Sequence, residues 1–204
     1  MSDTARQRPG LRQRTRDAVR EQIAEVALVM FDEQGFEETT VDQIAEAVGI
    51  SSRSFFRYFA SKEDVVLGDP MVHGEPVRQR LEQALESMTA WEALRTGFEA
   101  VVEVFESEPE TALRAMRVMI STPSLRARNT EKHLAWMTVL MPMVADTLTG
   151  AEADREYHAR AITLSALTCL DVASAELVHR DGAVAIRVLL DEAFQLLRPA
   201  ALLD

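Results

Sequence analysis

A single cysteine, Cys169, stands in the whole 204-residue chain. One cysteine closes no intrachain disulfide, so the fold must rest on its core, and nothing points to an oxidising compartment. Nowhere do ~18 consecutive apolar residues occur, and the leading run MSDTARQRPGLRQRTRD has no apolar signal core. The expectation is a cytoplasmic protein with no membrane partner. The histidines, His73, His133, His158 and His179, are scattered without HxH or HExxH spacing. One ExxH pair, Glu176 and His179, falls short of a di-iron bundle, which needs two such pairs and further carboxylates. No metal and no other cofactor is therefore expected. A GxSxG elbow, a phosphate-cradling glycine loop and a Cys/His nucleophile pair are missing as well, so catalysis has no candidate residues.

What is present is a core-forming composition, 47% hydrophobic, with 33 acidic against 22 basic residues and a net charge of -11. That excludes a disordered acidic tail, and the length allows one sizeable domain or a small module joined to a larger one. A net-acidic surface repels phosphate unless its cations are segregated, and here they are. Residues 1–20 hold six arginines against two aspartates, a net +4, and SSRSFFRYFASK (51–62) holds Arg53, Arg57 and Lys62 with no acid. Residues 68–204 hold 13 basic and 21 acidic residues, a net -8.

Apolar residues recur at helical spacing through Ile23, Ala27, Leu28 and Phe31, with Gly35 as a stop, predicting a first helix over 14–34. Thr39-Thr40 caps a second over 40–48, ended by Gly49, and Ser51 or Ser52 caps a third over 52–58. Ser61 opens a short helix, 61–68. Gly68, Pro70, Gly74 and Pro76 then read as a linker, dividing the chain into domains 1–68 and 69–204. Beyond it lie a helical stripe through Val77, Leu81, Leu85 and Met88, another from Trp91 to Phe105, helices opened by Pro109 and Pro123, and apolar segments 152–179 and 183–198. Pro142 should kink or break the helix it interrupts. No segment alternates with period two, so the fold class is all-α, with about nine helices: an N-terminal three-helix DNA-binding domain and a larger C-terminal helical bundle.

A short helix, a glycine turn and a second helix that starts with small polar residues and carries arginine form a helix-turn-helix, in which the first helix braces on phosphates and the second reads base edges in the major groove. Phe55 and Phe59, four apart, should face inward with Ile44 and Val48, leaving Ser52, Arg53, Phe56 and Arg57 outward. An arginine reaching the groove most often reads guanine, so guanine is expected in each half-site. Arg12, Arg14 and Arg16 of the arm are expected to add phosphate or minor-groove contacts.

The run FEETTVDQIAEAVGISSRSFFRYFASKEDV, residues 36–65, resembles the DNA-binding signature of tetracycline-repressor-type (TetR) regulators at Phe36, Thr40, Val41, Ile44, Ile50, Ser51, Phe55, Phe56, Tyr58, Phe59, Ser61, Lys62 and Val65. The segment RSFFRYF, with the arginine-rich lead-in Arg12–Arg16, resembles a subset that includes mycofactocin-associated regulators and relatives with an acyl-CoA-like ligand domain. The resemblance implies that Thr40 donates to a phosphate, that Ser52, Arg53, Ser54, Phe56 and Arg57 face the groove, and that Tyr58 and Lys62 hold the DNA backbone. It also implies a homodimeric repressor, released by a small-molecule effector, on a palindromic operator in double-stranded DNA. The apolar faces of 152–179 and 183–198 could pair across its twofold axis.

In the second domain Met116, Met119, Met137 and Met141, with Trp136 and Leu140, form an adaptable apolar cluster suited to a ligand pocket. Arg117 and Arg126 belong to a local excess of cations that could form its rim and take phosphates or a carboxylate, as an acyl-CoA would need. Ordinary core packing and surface pairing are the competing readings of both clusters. A different class of function also fits, a helical small-molecule carrier or sensor whose DNA-binding module is degenerate.

Overall fold

The computed structural model describes residues 11–68 and 70–198. Arg6 and Arg8 of the arginine-rich arm, and the side chain of His73, lie outside the described residues. Eleven helices and no strand occur among those described, two more helices than the sequence reading expected. The chain divides into two compact units, Met1–Val66 and Leu67–Asp204.

The first unit holds α1 (Leu11–Gln34), α2 (Val41–Ala47), α3 (Ser52–Phe55) and most of α4 (Glu63–Leu67). The α1 stripe Ile23, Ala27, Leu28 and Phe31 is buried against Phe36, Ile44, Ala45, Phe55 and Phe59. Phe31 and Phe36 pack with ring centroids 4.8 Å apart, and Phe55 and Phe59 at 5.6 Å. Burying a Phe or Ile side chain stabilises by about 1.5–3 kcal/mol, which is how helices as short as α2 and α3 persist. Thr40 and Gln43 form a full capping box at the start of α2. Gly49 takes φ +72° in the turn between α2 and α3, a left-handed conformation that costs a side-chain-bearing residue about 1–2 kcal/mol.

The second unit holds α5 (Pro70–Leu85), α6 (Ala90–Gly97), α7 (Glu99–Ser107), α8 (Pro109–Ser121), α9 (Pro123–Thr147), α10 (Glu152–His179) and α11 (Ile186–Leu196). Its core joins Val77 and Leu81 to Trp91, Leu94, Phe98, Trp136, Leu140, Leu167, Leu170, Leu190 and Phe194. Trp91 Nε1 donates to the Phe194 carbonyl at 3.1 Å, so the indole is buried without an orphaned donor. The expected single stripe from Trp91 to Phe105 divides at Phe98 into α6 and α7. Of the kink or break expected at Pro142, the break does not occur: Pro142 lies inside α9, which runs on to Thr147.

The stretch read as a linker is helical: α5 starts at Pro70 and runs through Gly74 and Pro76. Proline at a first helical position forfeits only an N–H that has no intrahelical partner. Further on, local propensity yields to packing, because Val77 and Leu81 are fully buried. Gly74 is where α5 meets the edge of Trp136. A Cβ built there would stand 2.8 Å from Trp136 Nε1 and 3.1 Å from its Cδ1. Alanine would gain roughly 0.5–1 kcal/mol of helix propensity, but the buried indole cannot retreat and overpacking costs about 1–3 kcal/mol. Gly74→Ala is therefore expected to lower the thermal midpoint by a few degrees, and an unchanged or higher midpoint would contradict the contact.

The exposed side of α5 is stitched by Arg78, which donates to Glu75 at 2.9 Å and to Glu82 at 3.0 Å. The Arg78 hydrogen bond, and then that of Gln79, hold the Glu75 carboxyl down to about 2. A carboxylate depressed in the folded chain contributes stability above its unfolded pKa of about 4.3, and that contribution fades as pH falls through the folded value. In a carboxyl NMR titration Glu75 should stay ionised at pH 3 and return toward 4 in Arg78→Ala. Protonation near pH 4 in the parent chain would contradict the pairing.

α10 buries Ala159, Ala166, Leu167, Leu170, Ala173 and Leu177 while leaving Tyr157, Leu164 and Val172 exposed. It is long and apolar enough, by length and composition, to cross a membrane, although no run of the sequence is continuously apolar; part of it is buried in the bundle, as in the core helix of a soluble protein. α11 likewise buries Leu189, Leu190 and Phe194 and exposes Val188 and Leu196, the latter at 79%. A groove of about 380 Å³ runs between the two, lined by Val172, Ala173, Leu189 and Leu196 among others. Cys169 also lines it, and burial pushes its thiol up to about 11, leaving it protonated at neutral pH.

Candidate functional site

The reading segment is shorter than expected. Only Ser52–Phe55 is α-helical, with Ser51 as its cap: the Ser51 hydroxyl accepts from Ser54 N at 3.2 Å. Residues 56–58 continue as tight turns in which Arg57 N donates to the Ser54 carbonyl and Tyr58 N to that of Phe55. The chain curls because Phe55 and Phe59 are both drawn into the core, where they are 0% and 4% exposed. Arg53, Phe56 and Arg57 face solvent, Phe56 at 54% exposure. Phe56 keeps one edge-on contact, with the ring of the buried Phe55 at 5.6 Å.

The carbonyls left open by this tight end are taken up by α1. Arg20 Nη1 donates to the Tyr58 carbonyl at 3.2 Å, and Arg16 Nη2 lies 3.5 Å from that of Arg57. The Arg20 guanidinium also stands 4.5 Å from the Phe59 ring centroid, a cation–π contact. Arg20 was not singled out in the sequence, although its spacing from Arg12 and Arg16, eight and four residues, places all three on one stripe of α1. Arg14 lies off that stripe and is exposed.

Other residues expected at the DNA already have partners. Thr40 donates its hydroxyl to Gln43 Oε1 at 3.0 Å and accepts from Gln43 N at 3.2 Å. Ser52 Oγ donates to Asp42, an acid at the mouth of the motif whose part the sequence reading missed. Ser54 and Ser51 share a hydroxyl hydrogen bond of 3.0 Å. Lys62, expected to hold the DNA backbone, aims its ammonium inward: Nζ donates to the carbonyls of Phe36 at 2.9 Å and Thr39 at 3.3 Å, and lies 4.3 Å from the Phe36 ring centroid. Its geometry is that of a positioning residue, which ties the start of α4 to the loop before α2.

In the second unit Met119, Trp136 and Leu140 are buried, and Met116, Met137 and Met141 are half-buried. Trp136 stacks on Phe98 at 6.5 Å. The two arginines expected at the pocket rim have protein partners: Arg117 pairs with Asp181, and the exposed Arg126 donates to the Ile120 carbonyl at 2.9 Å, capping α8. A polar cluster not foreseen in the sequence lies beside them, between α9 and α10. Asn129 Nδ2 donates to Asp171 at 3.2 Å, and His133 Nδ1 lies 3.3 Å from the other oxygen of the same carboxylate. Lys132 Nζ stands 5.5 Å from the Trp136 ring centroid, and burial holds its ammonium below the ordinary lysine range against the pull of Asp171.

Comparison with known proteins places this architecture. Residues 23–68 match the N-terminal domain of bacterial regulatory proteins of the tetR family, and residues 88–201 match the MftR C-terminal domain. The chain is 32% identical over 183 residues to a Mycobacterium tuberculosis protein assigned as the mycofactocin biosynthesis transcriptional regulator MftR, covering 89% of this chain and 90% of that one. It is 35% identical over 160 residues to the HTH-type transcriptional regulator TcmR of Streptomyces glaucescens, covering 76% of this chain and 70% of that protein. Among solved structures it shares the fold of the transcriptional regulator FadR from Bacillus subtilis in complex with stearoyl-CoA, with TM-score 0.56, 19% identity, and 86% and 96% of the two chains covered. The chain is thus a DNA-binding transcriptional regulator and not an enzyme, and it belongs to the TetR family, with a C-terminal domain of the MftR type.

Proposed function

We propose that the chain acts as a homodimeric repressor that binds a palindromic operator through residues 52–58 and leaves it when an amphipathic, acyl-CoA-like effector occupies the second unit. The observation that carries the reading is the outward display of Arg53, Phe56 and Arg57 on a segment anchored by the buried Phe55 and Phe59. Thr40, Ser52 and Ser54 can exchange their intramolecular hydrogen bonds for phosphate or base partners, while Tyr58 and Lys62 hold the reading segment and its supporting loop in place. Arg53 is the residue proposed to read guanine, a bidentate contact that discriminates by about 1–3 kcal/mol. Arg14 remains proposed as an arm contact to the duplex. Two protomers would meet through the exposed apolar faces of α10 and α11, giving the twofold symmetry that a palindrome mirrors.

The effector class has two supports. One is the run of methionines at Met116, Met119, Met137 and Met141, adaptable side chains suited to an acyl chain, of which Met137 and Met141 pack against the core that holds Trp136 and Leu140. The other is the stearoyl-CoA held by the B. subtilis regulator of the same fold. Arg117 would have to leave Asp181, and Arg126 the Ile120 carbonyl, to meet a charged headgroup. Binding would favour a dimer whose reading segments no longer match successive grooves. Titration of the operator complex with stearoyl-CoA should show saturable binding and release of DNA. No heat and no release across acyl-chain lengths would remove this effector class while leaving the regulator intact. Saturable acyl binding by a folded protein that selects no operator would favour the carrier reading instead.

A further inference from the structure

A cleft of about 460 Å³ lies on the first unit, lined by Arg12, Thr15 and Arg16 of α1 on one side and by Arg57 and Tyr58 on the other. No carboxylate is among these lining residues. Three arginines thus border one concavity in a chain whose net charge is -11. Like charges gathered without a counter-charge repel, and an anion between them relieves that repulsion. The donors present, planar guanidinium forks and two hydroxyl-bearing side chains, are those that suit phosphate oxygens. The far wall is fixed in place, because the carbonyls of Arg57 and Tyr58 are held by Arg16 and Arg20. Arg53 does not line the cleft. It sits one turn earlier on the exposed side of α3.

We infer that this cleft is a phosphodiester site, which seats one backbone phosphate of the duplex between Arg12 and Arg57. The arginines of the reading segment then divide their work: Arg57 grips phosphate with Arg12, and Arg53 reads a base. Arg16 and Arg20 are positioning residues that fix the wall of the site. The inference rests on the proposed operator binding and deepens it. It replaces the expectation that both arginines of the segment read guanine.

The test uses the full chain, a random-sequence duplex DNA pool and the operator selected from it, with affinity measured across a range of salt. Each phosphate neutralised by the protein adds about 0.9 to the slope of log affinity against log salt. Arg57→Ala and Arg12→Ala together should flatten that slope by about 0.9, each alone by less, and leave the selected sequence unchanged. Arg57→Lys, which keeps the charge but not the guanine-matching fork, should retain both slope and sequence. Arg53→Ala should keep the slope and abolish one base-pair preference. A changed sequence preference in Arg57→Lys, or an unchanged slope in the double alanine variant, would overturn the assignment. If the folded wild-type chain enriches no sequence, operator binding itself fails, a result read before any variant is compared, and the phosphate site falls with it.

Discussion

Phe55→Ala is expected to abolish DNA binding by unfolding the reading unit. Phe55 is fully buried, makes ring contacts with Phe56 and Phe59 at 5.6 Å, and sits beside Ile44 in a core built from few side chains. Truncating a buried phenylalanine costs about 3–5 kcal/mol. A unit of this size buries a smaller share of its surface than a larger domain and is correspondingly marginal, so a loss of that order removes most of its stability. Phe55→Leu keeps most of the volume and should cost less than about 1.5 kcal/mol. Circular dichroism against temperature, paired with an operator-binding assay, checks both. Full affinity and an unchanged midpoint in Phe55→Ala would mean that Phe55 does not anchor the segment.

The second large effect is expected at the other end of the chain. Val172 is 55% exposed on α10 and lines the groove between α10 and α11. An exposed substitution within a single chain normally changes stability by no more than about 0.5 kcal/mol. In a twofold interface the same position occurs on both faces, so Val172→Asp would bury two unpaired carboxylates at several kcal/mol each. The variant should remain folded, elute as a monomer by light scattering, and bind the operator on the order of a hundredfold more weakly, because the two half-sites no longer reinforce each other. A Val172→Asp protein that stays dimeric with full affinity would exclude this face as the interface.

The local parts of the reading head were legible in the sequence because their causes are local. Thr39-Thr40 stands as a capping pair of residues before an apolar stripe, Gly49 marks a turn that needs positive φ, and Phe55 and Phe59 fall four apart. The length of α3 was not legible, because its tight end is held by Arg16 and Arg20, about forty residues away in sequence. The inward turn of Lys62 has the same origin, since its acceptors belong to the loop at 36–39. Pro70, Gly74 and Pro76 carry the composition of a linker, yet helix α5 forms there, where Gly74 fits the edge of Trp136 and Val77 and Leu81 are fully buried. In the second unit the methionine group was visible as composition. The Asn129–Asp171–His133 cluster was not, because it joins helices some forty residues apart and depends on their register.

Residues 52–58 are proposed to read a palindrome, with Arg53 supplying a base contact. The most direct measurement is to incubate the full chain with random duplex DNA at fixed salt and sequence what it retains, in parallel with Arg53→Ala. The expected result is an inverted repeat whose half-sites lie about one helical turn, 10–10.5 base pairs, or a multiple of it apart, with a guanine whose enrichment disappears in Arg53→Ala. An enriched sequence that Arg53→Ala leaves unaltered would contradict it, as would a folded, dimeric protein that enriches nothing.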